Sequence, residues 1–538
     1  NHLEIGLFVL LYLGAIYVWT LPMHNNPLPF GDVDASSHFM VGDSMSSQDR
    51  SIAKLPYYIK ERYGGQNDAF PEHIWYPPQY WTNAGLSQIL GQHRTLAFFI
   101  IIAIFSSAIV VTSFFVVKQL FGFWPAFLSS LLLVFSTRDY MVYLWGQWPQ
   151  ALSFAFTPLA LYLFYRYQQS RKKSQGHTQE DVNKKNKDPF QTNVYLYLLA
   201  LILASQYFFH PQGLMASVIT LIFYTIVLWV KYKKRPFCIK NSLIALALFA
   251  VVCVAFAPYN LGEFFSQLTS TPDEAPKGAQ FQKLFQWYQG IKNDPGLPDF
   301  YFSYPGSHGG MQDALIAWWT LPLLLLGLLF LFLKRNDESW LYLCFFFAFY
   351  LLTRLIVFGK GQKDIRMFAF EAHVFYPIIA LGLLSIPSFI PMPNLKQFAK
   401  YGLIVVFIFL AINVNGKMAY SVLKGMENSP QRITPAQFEA AEWIRLNVPE
   451  EANIYDVGTL GFEYFSGKVK WFGALTQRRI IINDHEIPLA NYIVIDYSDG
   501  MMLGNQQYLQ AINTFEQTNF ANATPVYNSE QIKVYKVA

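Results

Sequence analysis

The sequence predicts a polytopic α-helical membrane protein, on three observations. Of its 538 residues, 53% are hydrophobic, 18% are aromatic and 14% are charged, whereas an average soluble domain carries roughly 25% charged residues. Long apolar runs recur along most of the chain. The basic residues, which leave a net charge of +5, fall in short blocks between these runs. Such blocks are typical of cytoplasmic loops, so the charge does not indicate a nucleic-acid partner.

Eleven apolar runs are candidates for membrane spans, since a span needs about 20 mostly apolar residues. They lie near residues 3–21, 95–117, 121–136, 150–167, 193–209, 213–231, 241–258, 313–333, 339–358, 369–388 and 399–415. The third and fifth are short, which predicts tilted or extended helices. Asn1 stands almost inside the first run, and we expect a short basic piece before it.

The distribution of Lys and Arg predicts the orientation of the spans. Basic segments at 166–187, 231–240 and 334–335 follow the fourth, sixth and eighth runs, so these ends are expected in the cytoplasm. The loops 22–94 and 259–312, the turn 359–366 and everything after about 417 are then expected on the extracytoplasmic side. We therefore predict a transmembrane domain over 1–416 and an extracytoplasmic domain over 417–538, in a plasma or inner membrane.

The last part of the chain predicts a small α/β domain. "TPAQFEAAEWIRLNVP" has apolar residues at helical spacing behind a Thr-Pro start. "NIYDVG", "RRIIIND", "NYIVIDYS" and "IKVYKV" are short runs of β-branched and aromatic residues between turn residues. Helices mixed with strands indicate a compact domain over the outer face.

An acidic stretch, "GDVDASSH" at 31–38, directly follows the first run on the predicted outer side. On a helix, Asp34 and His38 would share one face at i,i+4 spacing. Such a pair can bind a divalent cation, and a carboxylate held there can take a proton from a nucleophile. The alternative is purely structural, with Asp32 as the helix N-cap and Asp34 favoured by the helix dipole.

Three cations in the late outer turn break the inside-positive pattern. Lys360, Lys363 and Arg366 precede a span that begins near Glu371. Cations there indicate an anion to bind, with a lipid phosphate or pyrophosphate as the candidate. The alternatives are headgroup binding and pairing with Glu371 or Asp364.

Two further polar positions lie at outward ends of spans. Arg138, in "STRDYMVYLWGQWPQ", and His210, in "HPQG", are candidates for substrate binding. Arg138 could instead form an ion pair with Asp139, and a buried His at a helix end is often structural.

This layout resembles the GT-C class of integral membrane glycosyltransferases, which includes protein mannosyltransferases and oligosaccharyltransferases. In that class an acidic motif stands in the first outer loop, where this chain has "GDVDASSH". Further similarities are "YPP" at 76–78, His210-Pro211 and the end pattern "EAAEWIRLNVPEEANIY…NSEQIKVYKV". The resemblance spans most of the chain and implies a GT-C-like fold.

The resemblance also implies a polyprenyl-phosphate-linked sugar as donor and a glycan, lipid or protein as acceptor. By position, the base or metal ligand is Asp32 or Asp34, and the lipid phosphate is held by Arg366 or Lys363. His38 and Asp43 are candidates to complete a site for Mg²⁺ or Mn²⁺ with Asp34. The Trp-Trp-Asp signature of oligosaccharyltransferases is absent from the C-terminal domain, which favours transfer of a single sugar.

Two other functions are compatible with the sequence. A non-catalytic subunit could keep this fold and scaffold a larger membrane complex, with the acidic motif as a helix cap. A secondary transporter would need ionisable residues near the midplane of the membrane. Few such residues lie deep in the runs.

Overall fold

A computed structural model of the chain describes residues 2–30, 33–45, 94–144, 146–175, 189–256, 318–353, 370–429, 432–457, 466–481 and 484–537. Most of the first outer loop, the outer loop 259–312 and the basic turn 359–366 lie outside these residues. The described part contains a helical region followed by a region of mixed helices and strands.

The helices of the predicted transmembrane domain are, in chain order, α1 (His2–Trp19), α2 (Val33–Met45), α3 (Arg94–Ser106), α4 (Ala108–Phe121), α5 (Phe123–Val134), α6 (Thr137–Leu144), α7 (Trp148–Ala155), α8 (Thr157–Gln175), α9 (Pro189–Phe209), α10 (Pro211–Tyr232), α11 (Ile239–Phe256), α12 (Leu321–Lys334), α13 (Asp337–Thr353), α14 (Ala372–Ser385) and α15 (Pro393–Leu410). Short 3₁₀ turns lie at Leu21–Met23, Trp318–Thr320 and Ile386–Phe389. A π segment, Ala411–Gly416, joins α15 to α16 (Lys417–Gly425).

Five helical stretches among the described residues are long and apolar enough to cross a membrane. They are His2–Trp19, Thr95–Phe121, Pro211–Tyr232, Ala372–Phe389 and Pro393–Gly425. Shorter apolar helices cover Phe123–Val134, Asn193–Phe209, Ile239–Val254 and Leu321–Lys334. These coincide with nine of the predicted runs, while the total of eleven spans stays a prediction.

Two predicted runs differ in detail from the helices. The run 150–167 is divided at Phe156 between α7 and α8. Pro158 stands at the start of α8, where its missing N–H leaves no helical hydrogen bond unmade. The run 399–415 belongs to a longer helical stretch, Pro393–Gly425, which continues through the π segment. The predicted domain boundary at 416 and 417 therefore falls inside a continuous helical stretch.

Glycines allow α12 and α14 to pack closely. A Cβ at Gly327 would lie 2.0 Å from the carbonyl oxygen of Ile378, and one at Gly382 would lie 1.9 Å from that of Leu323. Small residues at such a contact let two helix backbones approach each other, which is a common way for helices to associate in membranes. A methyl group at either position would force the two helices apart.

The helix ends that carry the basic segments meet at Asp337, the first residue of α13. Its carboxylate accepts hydrogen bonds from Lys231 Nζ at 2.9 Å and Tyr232 Oη at 2.6 Å, and also pairs with Lys172. The C-terminal parts of α8 and α10 and the start of α13 thus lie on one side of the helical region, as the Lys/Arg distribution requires.

The chain divides into two compact units. The first unit comprises residues 1–19, 104–142 and 149–421, and the second comprises 20–103, 143–148 and 422–538. The first is a helical bundle with a largely apolar interior. The second contains α2 and the C-terminal region.

The C-terminal region builds a five-stranded mixed sheet. Its strands are β1 (Asn453–Asp456), β2 (Arg479–Ile481), β3 (Tyr492–Asp496), β4 (Tyr527–Asn528) and β5 (Ile532–Lys536), in the order β2-β1-β3-β5-β4. Strands β1, β2 and β3 are parallel, and β5 is antiparallel to both β3 and β4. The helices of this region are α17 (Pro435–Asn447), α18 (Ser466–Thr476), α19 (Ser498–Leu503) and α20 (Gln506–Phe520). The apolar cluster on the sheet includes Ile481, Ile495 and Ile512.

Candidate active site

The helix predicted from the acidic stretch is present as α2, Val33–Met45. Positions 34 and 38 lie one helical turn apart on it, as the i,i+4 spacing predicts. Asp32 and the side chain of Asp34 lie outside the described residues. The described side chains of α2 are buried, among them Ala35, His38 and Phe39. The described side chains of α2 therefore belong to the interior of the second unit.

Gly146 holds the start of α2 in place. Its φ of +79° is in the left-handed region that favours glycine. A Cβ at this position would lie 2.2 Å from the backbone nitrogen of Ala35. Any side chain at residue 146 would displace the first turn of α2, which carries Asp34. The glycine of "YLWGQWPQ" is thus part of the structure that positions the acidic motif.

Aromatic rings surround the middle of α2. The His38 ring lies 6.2 Å from the ring of Trp148, measured between centroids. The Phe39 ring lies 5.3 Å from Phe98 and 5.5 Å from Trp471. These contacts fix the rotation of α2 about its axis, so that the orientation of the motif is set by packing.

Asp43, the third predicted metal ligand, is buried near the end of α2. Its carboxylate accepts a hydrogen bond from Gln477 Nε2 at 2.6 Å, and only 2% of the residue is exposed. At about 100° per residue, position 43 lies about half a turn around the helix from position 34. The place of Asp43 in the predicted cation site with Asp34 and His38 stays a prediction.

A buried arginine holds the segment that leads into the motif. Arg432, 3% exposed, donates hydrogen bonds to the carbonyl oxygens of Asn26 at 2.6 Å, of Leu28 and of Pro22. Its guanidinium also lies 5.1 Å from the centre of the Phe30 ring. Burial lowers the pKa of Arg432 to about 10, so the side chain is charged at neutral pH.

The first unit contains a buried ionic cluster at the start of α6 and α14. Arg138 Nη1 lies 2.6 Å from Glu371 Oε2, and His373 Nε2 lies 2.6 Å from Asp139 Oδ1. Ser136 donates to the second carboxylate oxygen of Asp139 at 2.5 Å. The four ionisable residues are at most 2% exposed. Arg138 thus pairs with Glu371, and the alternative pairing with Asp139 is not the ion pair observed.

This cluster brings together two segments that are far apart in the sequence, one around Arg138 and one around Glu371. Arg138 is one of the predicted substrate-binding residues, whereas Glu371 follows the predicted phosphate-binding turn. Lys360, Lys363 and Arg366 in that turn lie outside the described residues. Glu371 is the nearest described acidic residue after the turn, and its ion pair anchors the point at which the chain enters α14.

His210 caps α10. Its Nδ1 accepts a hydrogen bond from the backbone nitrogen of Gln212 at 3.2 Å, and Pro211 occupies the first helical position. Neighbouring amides are buried with it: Gln206 donates to the Ser153 carbonyl at 2.9 Å and to Thr157 at 3.1 Å. The structure therefore gives His210 a structural contact at the helix end, and its predicted role in substrate binding stays a prediction.

Within the described residues, no group of three or more His, Cys, Asp and Glu side chains is arranged to hold a metal ion. The predicted cation site of Asp34, His38 and Asp43 includes the Asp34 carboxylate, which lies outside the described side chains, so this site stays a prediction.

Sequence reasoning missed Arg432, Gly146 and the Glu371 pairing. Arg432 stands in "SPQRITP", which has the composition of an exposed loop. Its acceptors are backbone carbonyls, and because every residue has one, the sequence does not indicate which of them Arg432 binds. The glycine of "WGQW" was a detectable signal, since an isolated glycine between aromatic residues indicates a close backbone approach or a positive φ.

Solved structures share the fold of this chain. The oligosaccharyltransferase AglB of Archaeoglobus fulgidus, in complex with an inhibitory peptide and a dolichol-phosphate, is 13% identical with a TM-score of 0.56, over 95% of this chain and 72% of that chain. The Archaeoglobus fulgidus oligosaccharyltransferase in complex with Zn and sulfate is 12% identical with a TM-score of 0.56, over 94% and 71%. ArnT of Cupriavidus metallidurans, bound to undecaprenyl phosphate, is 11% identical with a TM-score of 0.52, over 98% of both chains.

These likenesses confirm the GT-C-like fold that the sequence resemblance implies, and with the apolar helices they indicate an integral membrane protein. No curated protein matches the chain by sequence. A family model matches residues 90–368, more than half of the chain. The matched part contains Arg138, His210 and the basic turn, and the acidic motif precedes it. The chain belongs to this family, DUF6541, which is described as a family of unknown function.

Proposed function

We propose that this protein is a membrane glycosyltransferase that moves a single sugar from a polyprenyl-phosphate-linked donor to an acceptor on the extracytoplasmic face. The observation that carries the proposal is the acidic stretch at the start of α2, within a GT-C-like fold. Structures of this fold have been solved with undecaprenyl phosphate and with a dolichol-phosphate. Both ligands are of the class that would leave the sugar in the proposed reaction.

In the proposed step, an acceptor hydroxyl oxygen attacks the anomeric carbon of the donor sugar. The bond between that carbon and the phosphate oxygen breaks, and its electron pair leaves with the polyprenyl phosphate. Asp32 or Asp34 takes the hydroxyl proton as general base, which requires a carboxylate oxygen about 3 Å from the acceptor oxygen. Each product then carries one part of the donor, so atoms and charge balance.

The leaving phosphate gains negative charge, which the basic turn would stabilise. This role is assigned to Arg366 and Lys363, with Lys360 in support, because cations aimed at developing charge lower the barrier. The ion pair of Arg138 with Glu371 supports the proposal indirectly, since it anchors the chain where the turn meets α14. Arg138 would then act as a positioning residue.

A divalent cation is part of the proposal, with Asp34, His38 and Asp43 as its proposed ligands. A bound Mg²⁺ or Mn²⁺ would neutralise charge on the donor phosphate. The base role does not depend on the cation. Activity with and without a chelator therefore separates the two roles of the acidic motif.

The test is transfer of radiolabelled sugar by the purified full chain. The donors are a panel of polyprenyl-phosphate sugars, and a cell-envelope extract supplies acceptors. We expect transfer by wild type and a loss of about 10²-fold or more in Asp32→Asn or Asp34→Asn, the usual contribution of a general base. Glu442→Gln is the matched control, because Glu442 makes a surface pair with Arg445 in the C-terminal region.

Full activity of both Asp variants would remove the proposed base. No transfer with any donor, from folded and monodisperse protein, would favour a scaffolding subunit of a membrane complex.

A further inference from the structure

The first unit carries a large open groove whose lining includes none of the residues of the candidate active site. It has a volume of about 810 Å³ and lies between the α4–α5 turn, the end of α12 and the ends of α14 and α15 that face each other. Its lining residues are all described: Leu120, Phe121, Gly122, Phe123, Trp124, Pro125, Phe330, Lys334, Leu381, Leu384, Ser385, Pro387, Ser388, Pro393, Lys396, Gln397, Lys400 and Tyr401. We call its apolar lining residues, which include the buried Leu381, the apolar floor, whereas Lys334, Lys396 and Gln397 are exposed.

The charged side chains that line the groove are all positive. Lys334, Lys396 and Lys400 line it, and its described lining contains no Asp or Glu. Within the described part of the chain, none of the three lysines forms an ion pair. Lys334 Nζ lies 5.4 Å from the centre of the Phe330 ring, which holds it beside the apolar floor. Three cations with no ion-pair partner among the described residues attract an anion.

The position of the groove indicates where that anion resides. All four chain segments that form it lie at span ends that the Lys/Arg distribution predicts to be cytoplasmic. Trp124 and Tyr401, whose ring centroids are 6.3 Å apart, line the same groove. Trp and Tyr are enriched where a membrane protein meets the headgroups of the bilayer. A groove with apolar walls and lysines at this depth matches a lipid better than a soluble anion.

We propose that this groove binds an anionic phospholipid, with its headgroup phosphate among Lys334, Lys396 and Lys400 and the start of its acyl chains along Phe121, Phe330 and Leu384. Clusters of Lys and Arg beside a span recognise anionic lipids by attraction to the phosphate. The apolar floor adds contacts that inorganic phosphate cannot make. The site is independent of the glycosyl transfer proposed above, since it lies at the opposite predicted face of the membrane.

Native mass spectrometry of the full chain in a neutral detergent tests the proposal. The probes are phosphatidylglycerol, phosphatidylcholine of the same acyl chains, and inorganic phosphate as a competitor. We expect wild type to bind phosphatidylglycerol in preference to phosphatidylcholine. The triple variant Lys334→Gln, Lys396→Gln, Lys400→Gln should bind phosphatidylglycerol at least about tenfold more weakly, because each cation near the surface attracts the headgroup.

Two further variants separate a site from general charge. Replacing the same three lysines by Arg keeps the charge and should keep the preference. The matched control Lys233→Gln, Lys234→Gln, Lys240→Gln removes the same charge at exposed positions outside the groove and should change binding by less than about twofold.

Several results would overturn the proposal. They are equal binding of the two lipids by wild type, unchanged phosphatidylglycerol binding by the triple Gln variant, and an equal loss of phosphatidylglycerol binding in the control variant. Displacement of phosphatidylglycerol by millimolar inorganic phosphate would show that the groove takes a free phosphate and not a lipid.

Discussion

Two buried sites, one in each unit of the molecule, hold their charged residues in different ways. In the first unit, Arg138 and Glu371 are 1% and 0% exposed and face each other as opposite charges 2.6 Å apart. In the second, the buried Asp496 is held by neutral donors, the Gln437 amide at 2.6 Å and the Ser498 hydroxyl at 2.6 Å. The buried site of Arg138 and Glu371 therefore depends on charge pairing, whereas Asp496 can become neutral by taking up a proton.

The largest loss of stability is expected on substitution of Arg138. Arg138→Ala leaves Glu371 buried and without this counter-charge, which is expected to cost about 3–5 kcal/mol of stability. Thermal unfolding of the purified chain in detergent measures the loss. A matched double variant, Arg138→Met with Glu371→Met, removes both charges and should recover most of the stability. Equal loss in the single and double variants would show that packing, and not charge, dominates the cluster.

Next in size is the close contact of α12 with α14 in the first unit. Gly382→Ala places a methyl group where the Leu323 carbonyl oxygen is 1.9 Å away, and overpacking of this kind costs about 1–3 kcal/mol. Gly402→Ala in α15 is the control, because a Cβ there meets nothing within 4 Å. We expect the melting temperature to fall in the first variant and to hold or rise in the second. The reverse order would contradict the proposed close approach.

In the second unit, the effect of charge depends on pH. Burial, with the nearby Asp499 carboxylate, raises the pKa of Asp496 from its ordinary value of 3.8 to about 6. The folded state then binds this proton more tightly than the unfolded state. The resulting stabilisation is complete below about pH 4 and is lost as the pH rises through about 6, a change of about 1–3 kcal/mol.

Asp496→Asn removes the titrating group and should flatten this part of the pH profile. Unfolding of the full chain followed between pH 4 and pH 8 provides the measurement. Glu516 is an internal contrast, because hydrogen bonds from Lys533, Tyr497 and Tyr535 outweigh burial and lower its pKa. A profile that is identical in wild type and Asp496→Asn would contradict the assignment.

The smallest expected effect is at the start of α17. Thr434 accepts a hydrogen bond from the Gln437 backbone nitrogen at 3.1 Å, and the Gln437 side chain accepts one from the Thr434 backbone nitrogen at 2.9 Å. Thr434→Ala breaks this capping box and should cost about 1 kcal/mol. Thr434→Ser keeps the hydroxyl and should retain most of the stability, which a chemical denaturation series can resolve.

The elements of this fold that could be predicted are those whose sequence signal lies within one short segment. The run 213–231 corresponds to α10, Pro211–Tyr232, because apolar length is a property of one segment. The Thr-Pro pair likewise predicts the start of α17, where Thr434 is the N-cap. The partner of Arg138 lies 233 residues away, and no local pattern selects Glu371 over Asp139.

The candidate site divides in the same way. The helical spacing of Asp34 and His38 follows from α2, and the placement of Asp43 follows from Gln477, which is 434 residues distant. The inclusion of Asp43 in the cation site rests on closeness in sequence and stays a prediction. Around a helix, nine residues place two positions on opposite sides, whereas the contact of Asp43 with Gln477 is visible only in three dimensions.

The most direct test of the account counts both products of one reaction. The purified full chain is given polyprenyl-phosphate sugars and an envelope extract, and labelled sugar on acceptors is compared with polyprenyl phosphate released. We predict equal amounts of the two products from wild type, and their parallel loss in the Asp32→Asn or Asp34→Asn variant. Release of neither product with any donor, from folded and monodisperse protein, would contradict the assignment of lipid-linked glycosyl transfer.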